Sequence, residues 1–95
     1  MECKSIVWRG HALERMLERG ISRATIKQVI LDAEIIEVYD SDKPFPSQLL
    51  YAIVNGVPLH VVLAYDITTE ECYVVTAYRP TLEHFEDDFI TRKKQ

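Results

Sequence analysis

The dipeptide Asn55-Gly56 constrains the fold of this chain more than any other feature of its sequence. It separates two apolar segments, residues 48–54 and residues 58–65. Asn and Gly both tolerate the positive φ that a type I′ turn requires at its two central positions, and this turn joins neighbouring antiparallel strands. The two segments are therefore predicted to form a β-hairpin.

The turn also determines the register of the hairpin. With a two-residue loop, Tyr51 pairs with His60 and Ser47 pairs with Ala64. Because side chains alternate between the two faces of a strand, we expect His60 and Tyr51 on the same face.

Another strand is predicted over residues 72–79, before Pro80. A five-residue turn over residues 67–71 would pair Ala64 with Val74, Val62 with Thr76 and His60 with Tyr78. A four-residue turn would send Thr76 and Tyr78 to the opposite face. We prefer the five-residue turn because it leaves one face of the sheet apolar and able to contact helices. That face would contain Leu50, Ala52, Val54, Leu59, Val61, Leu63, Val75 and Ala77.

Two helices are predicted in the first third of the chain. Apolar residues recur at helical spacing within residues 11–19, and Gly20 provides a left-handed stop. Ser22 is a good N-cap for a second helix that ends near Asp32. The joint between them is short, which predicts a helical hairpin. Residues 34–40 are rich in β-branched and aromatic side chains and are predicted to form the first strand.

The end of the chain carries a weaker helical pattern. Thr81 is a candidate N-cap for a short helix over residues 82–90, which Phe85 and Phe89 would dock on the core. Together the elements predict a single α+β domain over residues 1–95. In it, an N-terminal helical hairpin packs on a four-stranded antiparallel sheet, with the short terminal helix in addition.

Charge is unevenly distributed along the chain, whose net charge is −4. Residues 1–31 contain six Lys or Arg and three acids, a net of +3, whereas residues 32–42 contain five acids and no base, a net of −5. Any surface that binds nucleic acid is therefore expected on the N-terminal helices.

The sequence also predicts where the protein works. It has neither a recognisable signal peptide nor an apolar run long enough to span a bilayer, so we expect a cytoplasmic protein that does not insert into membranes. Cys3 and Cys72 stand alone, and we expect two ordinary thiols in a reducing cytosol.

His60 is the sharpest single functional signal, because it lies between Leu59 and Val61 in an apolar strand. Such a histidine is either satisfied structurally, by backbone or tyrosine hydrogen bonds, or retained for catalysis. Its predicted neighbours Tyr51 and Tyr78 could satisfy it, and could equally form a general acid and base pair with it. The sequence leaves both interpretations open.

A second candidate group lies along the first helix. His11, Arg15 and Arg19 follow one another at intervals of four residues and so share one flank. Arginine offers bidentate donors to a phosphate, and His11 could shuttle a proton. The alternative is a solvated helix face, with Glu14 and Glu18 interleaved among the bases.

No metal or cofactor is predicted. The three histidines, His11, His60 and His84, lie on separate elements without the spacing of metal ligands. The three glycines resemble helix ends and a turn, and they do not form a phosphate-binding loop.

Several short motifs resemble a family of short prokaryotic proteins of unknown function that is grouped with the RelE-like toxins of toxin–antitoxin systems. The motifs are His11-Ala12-x-x-Arg15-Met16, Arg19-Gly20-Ile21-Ser22, Glu34-Ile35-Ile36-Glu37, Pro44-x-Pro46-Ser47, Leu59-His60-Val61-Val62 and Thr76-Ala77-Tyr78-x-Pro80. The resemblance implies the small endoribonuclease fold of barnase and the RelE toxins, metal-independent RNA cleavage and a cognate antitoxin partner.

Residue chemistry assigns roles within that expected activity. The candidate catalytic residues are His60, His11 and Tyr78, and the candidate substrate-binding residues are Arg15, Arg19, Tyr51, Thr76 and Ser47. His60 would be the leading acid or base, with His11 the second, and Arg15 and Arg19 would hold the phosphate.

The acidic net charge departs from the generally basic RelE-like toxins and leaves two other hypotheses open. One is a non-catalytic protein-interaction module, an inactivated toxin relative. The other is a small metal-dependent hydrolase, which predicts stoichiometric metal in the purified protein. The edge of the first strand could also allow a homodimer.

Overall fold

A five-stranded mixed sheet carries two helices on one of its faces in the computed structural model, which describes residues 3–93. The elements in chain order are β1 (Ser5–Trp8), α1 (Gly10–Arg19), α2 (Arg23–Asp32), β2 (Glu34–Tyr39), β3 (Ser47–Val54), β4 (Val57–Asp66) and β5 (Glu71–Tyr78). The strand order across the sheet is β1-β5-β4-β3-β2. The predicted α+β class is confirmed.

The end of α1 and the start of α2 lie where the sequence predicts them. Gly20 adopts φ 66° directly after α1, a conformation that glycine reaches without steric penalty. The Ser22 hydroxyl accepts a hydrogen bond from the Thr25 amide at 3.1 Å and so caps α2. Neither helix of the described residues has the length and apolar character required to cross a membrane.

The main core lies between these helices and the sheet. Its fully buried members come from both helices and from β4 and β5: Ala12, Ile26, Val29, Val61, Leu63, Cys72, Val74 and Ala77. α1 packs on β5 and α2 packs mainly on β3, so each helix covers a different part of the sheet.

β1 is a strand that the sequence did not predict. It runs parallel to β5, pairing Ser5 with Glu71 and Trp8 with Val74, so the sheet is mixed and has five strands. The prediction of four antiparallel strands was wrong on this point. β1 contains four residues, and its partner lies at the far end of the chain, so no local pattern reveals it.

A disulfide bond joins Cys3 to Cys72 beside this parallel pair. The expectation of two ordinary thiols was therefore wrong. Cys3 lies two residues before β1 and Cys72 is fully buried in β5, so the parallel pairing brings two cysteines 69 residues apart within bonding distance.

The β3–β4 hairpin has the predicted register, with Tyr51 opposite His60 and Ser47 opposite Ala64. It is joined by Asn55 at φ 52° and Gly56 at φ 78°, as a type I′ turn requires.

The β4–β5 hairpin combines features of both predicted turns. His60 pairs with Tyr78 and Val62 with Thr76, as the five-residue turn required. Nearer the loop, however, Ala64 pairs with Tyr73 and not with Val74, because the turn has four residues, 67–70, and the register shifts beside Val75. This β-bulge leaves Val75 46% exposed, although it was predicted to lie in the core, and puts Val74 there in its place.

The predicted terminal helix over residues 82–90 is wrong. The segment forms turns and one isolated β-bridge between Phe85 and Arg92. The Asp88 carboxylate accepts hydrogen bonds from the amides of Ile90 and Thr91, and Phe89 adopts φ 58°, which closes a turn and excludes a helix.

Candidate functional site

His60 lies on the sheet face opposite the helices, in the middle of β4, and its side chain is fully buried. Three aromatic rings surround it, with centroids 5.7 Å away for Tyr51, 5.3 Å for Tyr78 and 4.6 Å for Phe85. We call these four residues the His60 cluster. His60, Tyr51 and Tyr78 come from neighbouring strands in the predicted register. Phe85 comes from the segment that follows β5.

Two hydrogen bonds define the state of the imidazole. His60 Nε2 lies 2.7 Å from the carbonyl oxygen of Phe89, which can only accept, so Nε2 carries a proton and donates it. His60 Nδ1 lies 3.3 Å from the Tyr78 hydroxyl. In the neutral ring Nδ1 is an acceptor, and Tyr78 is its donor.

Burial shifts the ionisation of both partners in the same sense, toward the neutral forms. Desolvation lowers the pKa of His60, an effect that its hydrogen bond to the Phe89 carbonyl opposes. Desolvation also raises the pKa of Tyr78. At neutral pH the pair is therefore a neutral imidazole and a protonated phenol.

A charged group lies beside the His60 cluster on the same face. Arg92 Nε is 2.6 Å from Glu37 Oε1, and Arg92 Nη2 is 3.2 Å from Glu37 Oε2. The Tyr39 hydroxyl donates to the same carboxylate, and the Arg92 guanidinium lies 5.0 Å from the Phe85 ring centroid. The Arg92 hydrogen bond lowers the pKa of Glu37, so this carboxylate is ionised at neutral pH.

Sequence reasoning did not select Glu37, Tyr39 or Arg92 as site residues. Glu37 pairs with Leu49, two positions from Tyr51, and so lies on the face of His60, but the sequence did not predict the β2–β3 register. Arg92 gave no signal, because it lies beyond the predicted helix over residues 82–90, where the sequence predicts no element.

Residues 81–93 form a lid over this part of the sheet, and we call them the C-terminal cover. They place Phe85, 2% exposed, against the His60 ring and direct the Phe89 carbonyl to its Nε2. The Arg92–Glu37 pair attaches the far end of the cover to β2. His60 is buried because of this cover.

His11 does not join the His60 cluster. It is exposed on α1 and lines a separate cavity with Ser47, and the residues that line this cavity do not include His60, Tyr51 or Tyr78. The hydroxyl of Ser47, itself buried, donates to Asp42 in the loop after β2. Ser47 therefore lies on the predicted face but beside His11.

Arg15 and Arg19 have different surroundings. Arg15 Nη1 forms an exposed ion pair with Glu18 at 3.1 Å, which matches the interpretation of a solvated helix face. Arg19 Nη1 donates to the carbonyl of Ala77 at 2.7 Å and contacts the Thr76 hydroxyl at 3.4 Å. Because β1 pairs only with residues 71–74 of β5, Arg19 satisfies a carbonyl on the open part of that strand.

The side chains of this face are of types that can donate or accept protons. Among residues 3–93, no three His, Cys, Asp or Glu side chains converge closely enough to hold a metal ion. The face instead combines one imidazole, three phenols, one carboxylate and one guanidinium: His60, Tyr51, Tyr78, Tyr39, Glu37 and Arg92.

Comparison with known proteins identifies a family. No curated protein and no solved structure matches the chain. The model of a protein family described as "Domain of unknown function (DUF4258)" matches residues 8–79. The matched range contains α1, α2 and β2 to β5, with His60, Tyr51, Tyr78 and Glu37, and it ends before the C-terminal cover. The chain therefore belongs to the DUF4258 family.

Proposed function

We propose that this domain is a toxin-like endoribonuclease that cleaves RNA by general acid and base chemistry without a metal ion. One observation carries the proposal: an imidazole, a phenol and a carboxylate lie together on the sheet face opposite the helices. The resemblance to RelE-like toxins supplies the class of substrate, and the DUF4258 match supplies no activity of its own.

The reaction requires two proton transfers. The ribose 2′-oxygen attacks the adjacent phosphorus as its proton leaves, the bond to the 5′-oxygen breaks, and that oxygen takes up a proton. The products are a 2′,3′-cyclic phosphate and a 5′-hydroxyl. His60 is suited to accept the first proton because it is neutral and Nδ1 is an acceptor. Tyr78 stays protonated and is suited to donate the second.

The substrate can reach His60 only when the C-terminal cover moves away. Both ring nitrogens are hydrogen-bonded within the protein and the side chain is fully buried. The described form is therefore a closed one. The cover lies outside the residues that match the family, whereas the groups assigned to catalysis lie inside them.

A non-catalytic protein-interaction module is the second candidate, and the same burial favours it. A histidine with two satisfied nitrogens and three aromatic neighbours is also what a purely structural residue looks like. In this case the His60 cluster stabilises the second face of the sheet, and a partner protein binds elsewhere.

Cleavage by the purified chain tests the proposal. A mixed-sequence RNA is incubated in the presence of EDTA with wild type, His60→Gln, Tyr78→Phe and the matched control Tyr65→Phe, which removes a tyrosine hydroxyl from β4 outside the cluster. Arg92→Ala is added to open the cover. We expect 5′-hydroxyl products from wild type, more from Arg92→Ala, and a loss of about 10²-fold in the two cluster variants but not in the control.

Thermal unfolding of each variant verifies that it is folded, and induction in a bacterial host shows whether growth arrest follows the same order. Intact RNA with both wild type and Arg92→Ala would overturn the nuclease proposal. If a protein partner also co-purified, the interaction module would take its place.

A further inference from the structure

The cavity that contains His11 is a groove between the start of α1 and the loop that follows β2. It has a volume of about 360 Å³ and lies apart from the C-terminal cover. We call it the α1 groove. Its lining includes Arg9, His11, Asp42, Lys43, Phe45 and Tyr73.

Three basic side chains line the α1 groove from two separate parts of the chain. Arg9 and His11 come from the start of α1, and Lys43 comes from the opposite wall. None of the three forms a salt bridge or a side-chain hydrogen bond with any residue in the described range 3–93. Their donors are therefore free to bind an anion.

Basic side chains outnumber acidic ones in the lining of the α1 groove. Asp42 is the one carboxylate among the residues that line it, and the Ser47 hydroxyl already donates to Asp42 Oδ2. α1 has no acidic residue in its first turn and no side-chain cap on its first amides. The groove is thus positively charged in a protein whose net charge is −4.

Aromatic side chains form part of the groove wall. The Phe45 and Tyr73 rings are stacked, with centroids 5.2 Å apart and planes 16° apart, and the Arg9 guanidinium carbon lies 5.0 Å from the Tyr73 ring centroid. Planar cations and aromatic rings beside free donors are the combination that binds unpaired bases and their phosphates.

We propose that the α1 groove binds single-stranded RNA, with Arg9, Lys43 and His11 on a phosphodiester and Phe45 beside a base. The choice of RNA rests on the proposed function. The pair Ser47–Ala64 at the groove lies four residues along the strands from the pair Tyr51–His60, which is about 13 Å. One short RNA strand can therefore reach both places on this face.

Binding is measured by fluorescence anisotropy with a labelled single-stranded hexanucleotide that carries 2′-O-methyl groups and so cannot be cleaved by its own 2′-oxygens. The groove variant is Arg9→Ala/Lys43→Ala. Its control, Arg23→Ala/Lys27→Ala, makes the same change in net charge on α2. We expect the groove variant to raise Kd about tenfold or more and the control to change it less than twofold.

Two further measurements distinguish direct phosphate contacts in the groove from a general electrostatic attraction between the protein and RNA. The slope of log Kd against log salt should fall by about 1.4 in the groove variant, because two phosphate contacts each contribute about 0.7 for a single strand. Asp42→Asn removes the carboxylate charge and keeps an acceptor for Ser47, so it should tighten binding.

The inference is overturned if the two double variants weaken binding equally or if wild type does not bind the hexanucleotide. Loss of binding confined to the groove variant, from a wild type that cleaves no RNA, would keep the RNA site and remove the nuclease proposal. Cleavage by wild type with an unchanged kcat/KM in the groove variant would keep the nuclease proposal and remove the RNA site in the groove.

Discussion

Arg92 and Glu37 form a bidentate ion pair that fastens the end of the C-terminal cover to the outer strand β2, with Nε to Oε1 at 2.6 Å and Nη2 to Oε2 at 3.2 Å. The pair is only partly buried, with 27% of the Glu37 side chain and 52% of the Arg92 side chain exposed. Because water can solvate the two separated charges, breaking the pair costs little free energy, and the cover can detach while the main core stays intact.

Arg92→Ala should release the C-terminal cover and leave the main core folded. We expect the free energy of unfolding to fall by about 1 kcal/mol, since the lost pair is partly exposed. Amide hydrogen exchange in residues 84–93 should become about fivefold faster, the factor that corresponds to about 1 kcal/mol. Arg15→Ala removes an exposed arginine pair elsewhere and serves as the control. Equal exchange in the cover of all three proteins would contradict this prediction.

Burial of His60 predicts a loss of stability on mild acidification. Its pKa is lower in the folded protein than the usual 6.5, because desolvation and the facing Arg92 outweigh the Phe89 carbonyl and Glu37. As the pH falls below about 6.5, the unfolded chain binds a proton that the folded chain resists, so the free energy of unfolding decreases. Above about pH 7 this contribution is complete.

Urea unfolding from about pH 5 to pH 7 measures this dependence, and His60→Gln should flatten it. The window excludes Glu37, whose pKa lies below 4.5 and which therefore loses its stabilising charge only at lower pH. An equal slope in wild type and His60→Gln would assign the effect to another group.

The disulfide between Cys3 and Cys72 should contribute strongly to stability. It closes a loop of 69 residues, and restricting the unfolded chain to such a loop is worth about 4 kcal/mol in the chain-entropy description. Denaturation with and without a reducing agent measures it. Cys3→Ser should match the reduced wild type and show no response to the reductant, and a response in this variant would point to another cause.

Arg19 should hold α1 against the open part of β5. Its guanidinium bonds to the Ala77 carbonyl, and the Arg79 side chain donates in turn to the Arg19 carbonyl. Arg19→Ala should lower the free energy of unfolding by about 1 to 2 kcal/mol, as for other hydrogen bonds to charged donors. Arg19→Lys should recover part of the loss. Chemical denaturation tests both, and no change in the alanine variant would limit Arg19 to a surface role.

The sequence predicted those elements whose ends are determined by turn and cap residues within the element itself. Asn55-Gly56 determined the β3–β4 register, and with it the meeting of Tyr51 and His60, because a two-residue turn admits one pairing. Gly20 and Ser22 likewise marked the helix ends. In each case the neighbouring residues alone decide the geometry.

The remaining features depend on contacts between distant residues. β1 and the disulfide exist because residues 3–8 lie beside the start of β5 in the sheet, some 65 to 70 residues later in the chain. The terminal helix does not form because Phe85 gains more by packing on His60 than a short isolated helix would supply. His11 was grouped with His60 because the sequence cannot show which end of the sheet α1 approaches.

The bulge beside Val75 sets the parity of β5. One extra residue there lets Val74 point into the core while Thr76 and Tyr78 point to the opposite face, although the loop before them is short. Deleting Val75, or inserting a residue beside it, would exchange inside for outside along half of the strand. A change of length within the strand should therefore be harmful even if the loop at 67–70 accepts one, because a single residue in the strand decides whether Tyr78 faces His60.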